Sequence, residues 1–408
     1  MWPLLFGIAL LKLSIGLHGS LLGLRANLEG FSIGITGLVM SAYFAGFLIS
    51  SLVTPKMIFR VGHVRVFAAL ASLASVGVLL HAVFVHPFIW SFFRLVTGFC
   101  YAGLYMVAES WLNDKAENTS RGRVLSIYML AQLMGMSGGQ SLLNIADPEG
   151  FELFILVSAL VSLSLVPILL SVTHVPHFET PSHIGLKALF SLAPLGVATA
   201  FGSGLANSVL LSMGAFYATG MGFSIGETSL FMGLAILGGG LLQWPIGRLS
   251  DHINRRTVIT AVTFLAAFTA MGAIMTSNNP GPVFYGLVAL FGGFSLPLYS
   301  LASATTNDGL KRDQMVSAGS ALILTSGIGS VLGPILVSLT MTSTGPQGFF
   351  WYLAGVHGVV GLIALGRMAV KLPMPVEEQK EYQSIPPRAT PMATVLAHES
   401  PEPDKAGR

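Results

Sequence analysis

Twelve apolar segments, an internal repeat and a one-sided distribution of basic residues predict an all-α membrane protein. The expected architecture is twelve transmembrane helices as two six-helix bundles, with both termini cytoplasmic. Of the 408 residues, 53% are hydrophobic and 10% are charged, with a mean hydropathy of +0.73. Soluble domains carry about 25% charged residues. The apolar runs are continuous rather than alternating, and they approach the roughly 20 residues that carry a helix across about 30 Å of hydrocarbon, which excludes barrel strands. A net charge of +3 gives no indication of nucleic-acid binding, so the expected partners are the lipid bilayer and a small-molecule substrate.

The segments fall near 3–24, 33–54, 66–86, 88–112, 123–145 and 151–172, and then 189–219, 226–248, 257–277, 282–305, 315–342 and 348–371. The first six give an N-terminal bundle over 1–172 and the last six a C-terminal bundle over 189–372. Between them THVPHFETPSHIGLK forms a polar cytoplasmic linker, 173–188. The segment 373–408 is rich in proline and charge and is expected to be a disordered cytoplasmic tail. The opening MWPLLFGIALLKLSIG lacks a basic leader, so the first segment is expected to remain as a helix. A single cysteine, Cys100, makes no internal disulfide.

The repeat is literal: GFSIGIT at 30–36 returns as GFSIGET at 222–228. Each copy leads into an even-numbered helix, with Ser32 and Ser224 as expected N-caps and Ser224 with Glu227 at capping-box spacing. Matches continue with Leu38 and Leu230, Met40 and Met232, and Gly46 and Gly238. They extend to Gly98 and Gly292, Tyr105 and Tyr299, and Asn113-Asp114 and Asn307-Asp308. Two halves of the same topology, related by an axis along the membrane normal, explain the recurrence. With a cytoplasmic N-terminus, Lys56, Arg60, Arg65, Lys115, Arg121, Arg123, Lys187, Arg248, Arg255, Arg256, Lys311 and Arg312 lie on the cytoplasmic side, against Arg25 opposite.

GRLSDHINRR at 247–256 resembles the signature of the major facilitator superfamily between helices eight and nine, with Asn254 where glycine is usual. AESWLND and the loop TPKMIFRVGHVR most resemble its YcaD-like branch. The resemblance spans roughly residues 1–372 and implies a transporter, not an enzyme, without cofactor. It also implies that Gly247, Asp251, Arg255 and Arg256 form a conformational latch, the alternative being a basic loop that only sets topology. The first-half loop has no aspartate, so its latch is expected to use Glu109 with Arg65, Arg121 or Arg123. RLVTG at 94–98 resembles a pattern of proton-coupled members, with Thr97 replacing glutamine.

Ionisable groups at membrane depth are costly, which makes Lys12, His18 and Arg94 candidates for a substrate cavity. Arg94, Gly98, Tyr101, Tyr105 and Glu109 recur at steps of three or four and share one helix face. That stripe reads as a cavity wall or as packing against a neighbouring bundle. The resemblance places helices one, four, seven and ten around the cavity, which adds Asn207 and Tyr299. Lys12 lines the cavity or snorkels to the interface, and His18 titrates or packs. Proton coupling, if present, runs through His18 or Glu109. The expectation is a monomeric secondary transporter of the cell inner membrane, working by rocker-switch alternating access on a neutral or anionic organic solute. The alternatives are a lipophilic-cation exporter and a non-transporting receptor.

Overall fold

The computed structural model describes residues 2–115, 121–171, 185–370, 375–385 and 390–393. Among these there are helices and turns and no strand. The first half holds α1 (Trp2–Leu28), α2 (Ile33–Val61), α3 (His63–Val83), α4 (Pro87–Lys115), α5 (Arg121–Ser141) and α6 (Glu152–Ser171). A short α7 (Leu186–Leu192) precedes the second half, α8 (Pro194–Gly220), α9 (Ile225–His252), α10 (Arg255–Thr276), α11 (Pro282–Ser295), α12 (Leu298–Asp308), α13 (Arg312–Thr344) and α14 (Gly348–Val370).

Among the described residues, eleven spans are long and apolar enough to cross a membrane, α11 and α12 together making one of them. The remaining expected span, 123–145, is α5. It is helical and packed between α1 and α9, but glutamines, serines and glycines interrupt its apolar run. The expected span 282–305 is divided at Leu296-Pro297, where Pro297 lacks an amide hydrogen. Both residues keep right-handed helical angles, so the helix kinks there without ending its course.

The packing reproduces the repeat. In the first half α1 lies on α5 and α6, α2 on α4, and α3 on α4 and α6. In the second, α8 lies on α13 and α14, α9 on α11, and α10 on α11 and α14. The repeated heptapeptides form the same turn: Gly30 and Gly222 take φ of 68° and 84°, angles that favour glycine. Ser32 accepts from the Ile35 amide, whereas Ser224 forms a full capping box with Glu227. Repeated glycines also mark the tightest crossings. A methyl on Gly46 would meet Leu95 O at 1.9 Å and one on Gly98 would meet Tyr43 O at 2.0 Å, where α2 crosses α4. Their partners Gly238 and Gly292 stand 1.9 Å, on the same measure, from Ala289 O and Ala235 O, where α9 crosses α11.

The two bundles touch along α1 with α8, α2 with α13 and α5 with α9. These contacts concentrate towards one face, called here the far face, which carries the two repeated turns. There Ser41 Oγ donates to Val331 O (2.5 Å) and Ser229 Oγ to Gln140 O (2.6 Å). The opposite face holds the start of α1 and residues 375–385 and 390–393. The expectation of a disordered tail needs correction over 375–385 and 390–393. Ile385, Thr390, Met392 and Ala393 are buried, because these residues meet apolar and hydroxyl surfaces on both bundles. Residues 373–374, 386–389 and 394–408 lie outside the described residues, as does most of the expected linker. The described end of that linker runs into α7.

Candidate functional site

Helical periodicity places Arg94, Tyr101, Tyr105 and Glu109 along α4, and the structure divides this stripe into two groups. The group nearer the far face lies inside the first bundle. The Arg94 guanidinium sits 4.4 Å from the centre of the Tyr43 ring and is 3% exposed. Tyr101 Oη lies 3.3 Å from Ser14 Oγ, which also donates to Val157 O of α6. The His18 ring meets His81 edge-on at 5.3 Å and Tyr101 at 6.3 Å. A cation over an aromatic face contributes about 0.5–2 kcal/mol, more as the site is desolvated.

The second group lies where the C-terminal segment meets the first bundle. The Lys12 ammonium lies 3.5 Å over the centre of the Tyr105 ring, and both residues are buried. Glu109 accepts hydrogen bonds from Tyr128 Oη and from Thr390 Oγ1. Lys12 is near enough for its charge to act on Glu109. The expected partner Arg65 is exposed, and the side chains of Arg121 and Arg123 lie outside the described residues. Among the described residues Glu109 thus accepts from a hydroxyl on α5, from a hydroxyl on the C-terminal segment and from the Ala393 amide of that segment.

The second bundle carries a chain of polar groups within its own helices. Asn207 Nδ2 donates to Ser203 Oγ (3.0 Å), Ser295 Oγ donates to Asn207 Oδ1 (3.2 Å), and His357 Nε2 lies 3.0 Å from Ser295 Oγ. This chain joins α8, α11 and α14, with Ser295 beside the kink. Tyr299 is buried against Ile385, and its hydroxyl has no hydrogen-bond partner among the described residues. Sequence reasoning named Asn207 but missed Ser295 and His357. Their only sequence signal is polarity inside apolar runs, and Pro297 marks the kink next to Ser295.

The signature loop forms a charge cluster within the second bundle. Arg255 is 2% exposed, pairs with Asp251 (2.9 Å) and with Asp308 at the end of α12, and donates to Ala304 O (3.2 Å). The acid that holds the arginine, Asp308, is on the same bundle. Arg256 is half-buried and reaches Arg367 O (3.4 Å), and Asn254 caps α10 by accepting from the Arg256 amide. Gly247 lies beneath the Tyr382 ring. A cavity of about 280 Å³ adjoins this cluster, lined in part by Arg255, Arg256, Asp308 and Arg367. In the first half, the position equivalent to Arg255 is His63, whose Nε2 lies 2.9 Å from Ser110 Oγ and whose ring feels the charge of Asp114. Among the described residues, no group of three or more histidine, cysteine or acidic side chains is placed to hold a metal.

Two like six-helix bundles, meeting around polar groups at mid-depth, define the fold of a secondary transporter. The chain belongs to the Major Facilitator Superfamily, whose sequence profile matches residues 4–325 and 199–398. It is 28% identical over 364 residues to an uncharacterized MFS-type transporter, YcaD, of Escherichia fergusonii, covering 89% of this chain and 94% of that one. YcaD of Salmonella heidelberg is 28% identical over 378 residues, covering 91% and 97%. Among solved structures, the D-xylose-proton symporter superposes with a TM-score of 0.73 at 12% identity, covering 93% of this chain and 99% of that one. The nucleoside transporter NupG gives 0.69 at 13%, covering 90% and 100%. A bacterial homologue of the lysosomal transporter Spinster gives 0.68 at 14%, covering 99% and 98%. These structural likenesses establish the fold, and the sequence profile establishes the family.

Proposed function

We propose that this transporter moves a small neutral or anionic organic solute across the bacterial cell membrane. Its two bundles rock around a central cavity, and the face bearing both termini is cytoplasmic. The observation that carries the reading is the Lys12 ammonium, buried above Tyr105 and beside Glu109, where Thr390 of the C-terminal segment meets the first bundle. An ammonium desolvated at mid-span attracts a carboxylate, a phosphate or a polar uncharged group and repels a lipophilic cation. The Tyr105 face supports an organic rather than an inorganic substrate. In the second bundle Asn207, Ser295 and His357 form a polar chain that a solute with a hydroxylated end is expected to engage. Glu109, beside Lys12 and in contact with two hydroxyls, is the group best placed to couple proton movement to solute movement.

The test is a melting panel on purified protein with organic anions, sugars, amino acids and lipophilic cations at two pH values. A ligand at 100 times its Kd adds about 2.7 kcal/mol to the folded state and raises Tm. Organic anions or sugars are expected to raise it, and Lys12→Met, which keeps the apolar stem, is expected to abolish the shift. Stabilisation by lipophilic cations alone contradicts the reading and favours an exporter that uses Glu109.

A further inference from the structure

We propose that residues 375–385 and 390–393 form a releasable plug. Docked between the bundles, this segment blocks the path to the Lys12–Tyr105 wall and holds the molecule in the conformation that is closed at the far face. The proposal goes beyond the substrate reading and requires only that the bundles move against each other.

The segment binds both halves at once. Towards the first bundle, Thr390 Oγ1 donates to Glu109, and Met392 joins the apolar cluster that contains Tyr105 and Tyr128. Towards the second, Ile385 is 1% exposed beside Tyr299 and Leu322, and its backbone exchanges two hydrogen bonds with Ser300 Oγ (3.0 and 2.9 Å). Gln243 Nε2 donates to Ser384 Oγ at 2.7 Å. Leu125 of α5 packs on the cluster that holds Ile385 and Ala393, so the segment bridges the two bundles at this face.

It also engages the signature cluster. The Tyr382 amide donates to Asp251 Oδ1 (2.8 Å), the Lys380 amide donates to Asp308 Oδ1 (3.0 Å), and Arg255 donates to Lys380 O. The carboxylates that fix Arg255 therefore also hold the segment. Closing this face requires the volume the segment fills, so the opposite state of the cycle requires its departure. Much of its attachment is by hydrogen bonds to side chains of the bundles, and its tether to α14 is short. An intramolecular docking of this kind has an effective concentration in the millimolar range and remains reversible.

The experiment uses the full-length chain in detergent and needs no solute. In a Q243C/S384C variant, a short thiol-specific bifunctional cross-linker is expected to join the two positions, whose side chains meet when the segment is docked. Separately, S41C places a thiol in the far-face seal, and its reaction with a fluorescent maleimide reports opening of that face. Adding I385E, which puts a carboxylate into the apolar cluster, is expected to raise the S41C labelling rate about tenfold by shifting population to the far-open state. I385V is expected to leave the rate at the S41C value. T390D places a second carboxylate beside Glu109 and carries the same expectation as I385E through a different contact. Absence of the cross-link, or equal labelling rates in S41C, I385E and T390D, overturns the proposal.

Discussion

Gly98 and Gly46 illustrate how much of the fold rests on single atoms. Each lies where a neighbouring backbone carbonyl occupies the position of a β-carbon. Gly98→Ala is expected to destabilise by about 1–3 kcal/mol or more, because the added methyl meets backbone that cannot give way locally. Gly292→Ala is expected to cost a similar amount at the repeat-related crossing. Gly34, where a β-carbon would meet nothing within 4 Å, is the control: Gly34→Ala is expected to stabilise by about 0.5–1 kcal/mol, read as a small rise in Tm. The sequence disclosed these glycines because they recur at a fixed offset. It could not disclose His81, Ser110 or His357, since a polar residue's partner on another helix leaves no mark in local spacing.

At the scale of elements, capping and charge clustering separate the two halves. Ser224→Ala removes a reciprocal capping box and is expected to cost about 1 kcal/mol or more. Ser32→Ala loses one long bond and is expected to cost less, as thermal unfolding of the two variants would measure. Asp308→Asn weakens the hold on a nearly inaccessible Arg255, which keeps Asp251. A loss of up to about 3 kcal/mol is expected, larger than for Asp114→Asn in the first half, where histidine replaces the arginine. The Asp251–Arg255 spacing was legible as i, i+4 neighbours. The role of Asp308 was half legible: the repeated Asn-Asp pair was evident, but the arginine it meets is a tertiary fact. The kink in the tenth span had its signal in Pro297, which an apolar run conceals when hydropathy alone is read.

For the whole molecule, composition gave the membrane class, the repeat gave the two halves, and the signature loop gave the family. Composition misjudged the C-terminal segment. Its prolines and charges conceal four buried residues, and a segment of this kind becomes ordered when a preformed surface offers apolar and hydroxyl partners. The α4 stripe was read as a cavity wall or as packing, and the structure divides it: Arg94 meets Tyr43 and Tyr101 meets Ser14, whereas Tyr105 meets Lys12 and Glu109 meets Tyr128 and Thr390. The central claim is alternating access around a Lys12 wall, and counterflow in proteoliposomes tests it most directly. Counterflow needs both faces to open in turn and needs no coupling ion. Vesicles preloaded with the stabilising organic anion or sugar are expected to accumulate the labelled solute transiently, with Lys12→Met reducing the initial rate at least about tenfold, the equivalent of about 1.4 kcal/mol. Solute binding without counterflow, or an unchanged rate in Lys12→Met, would contradict the account.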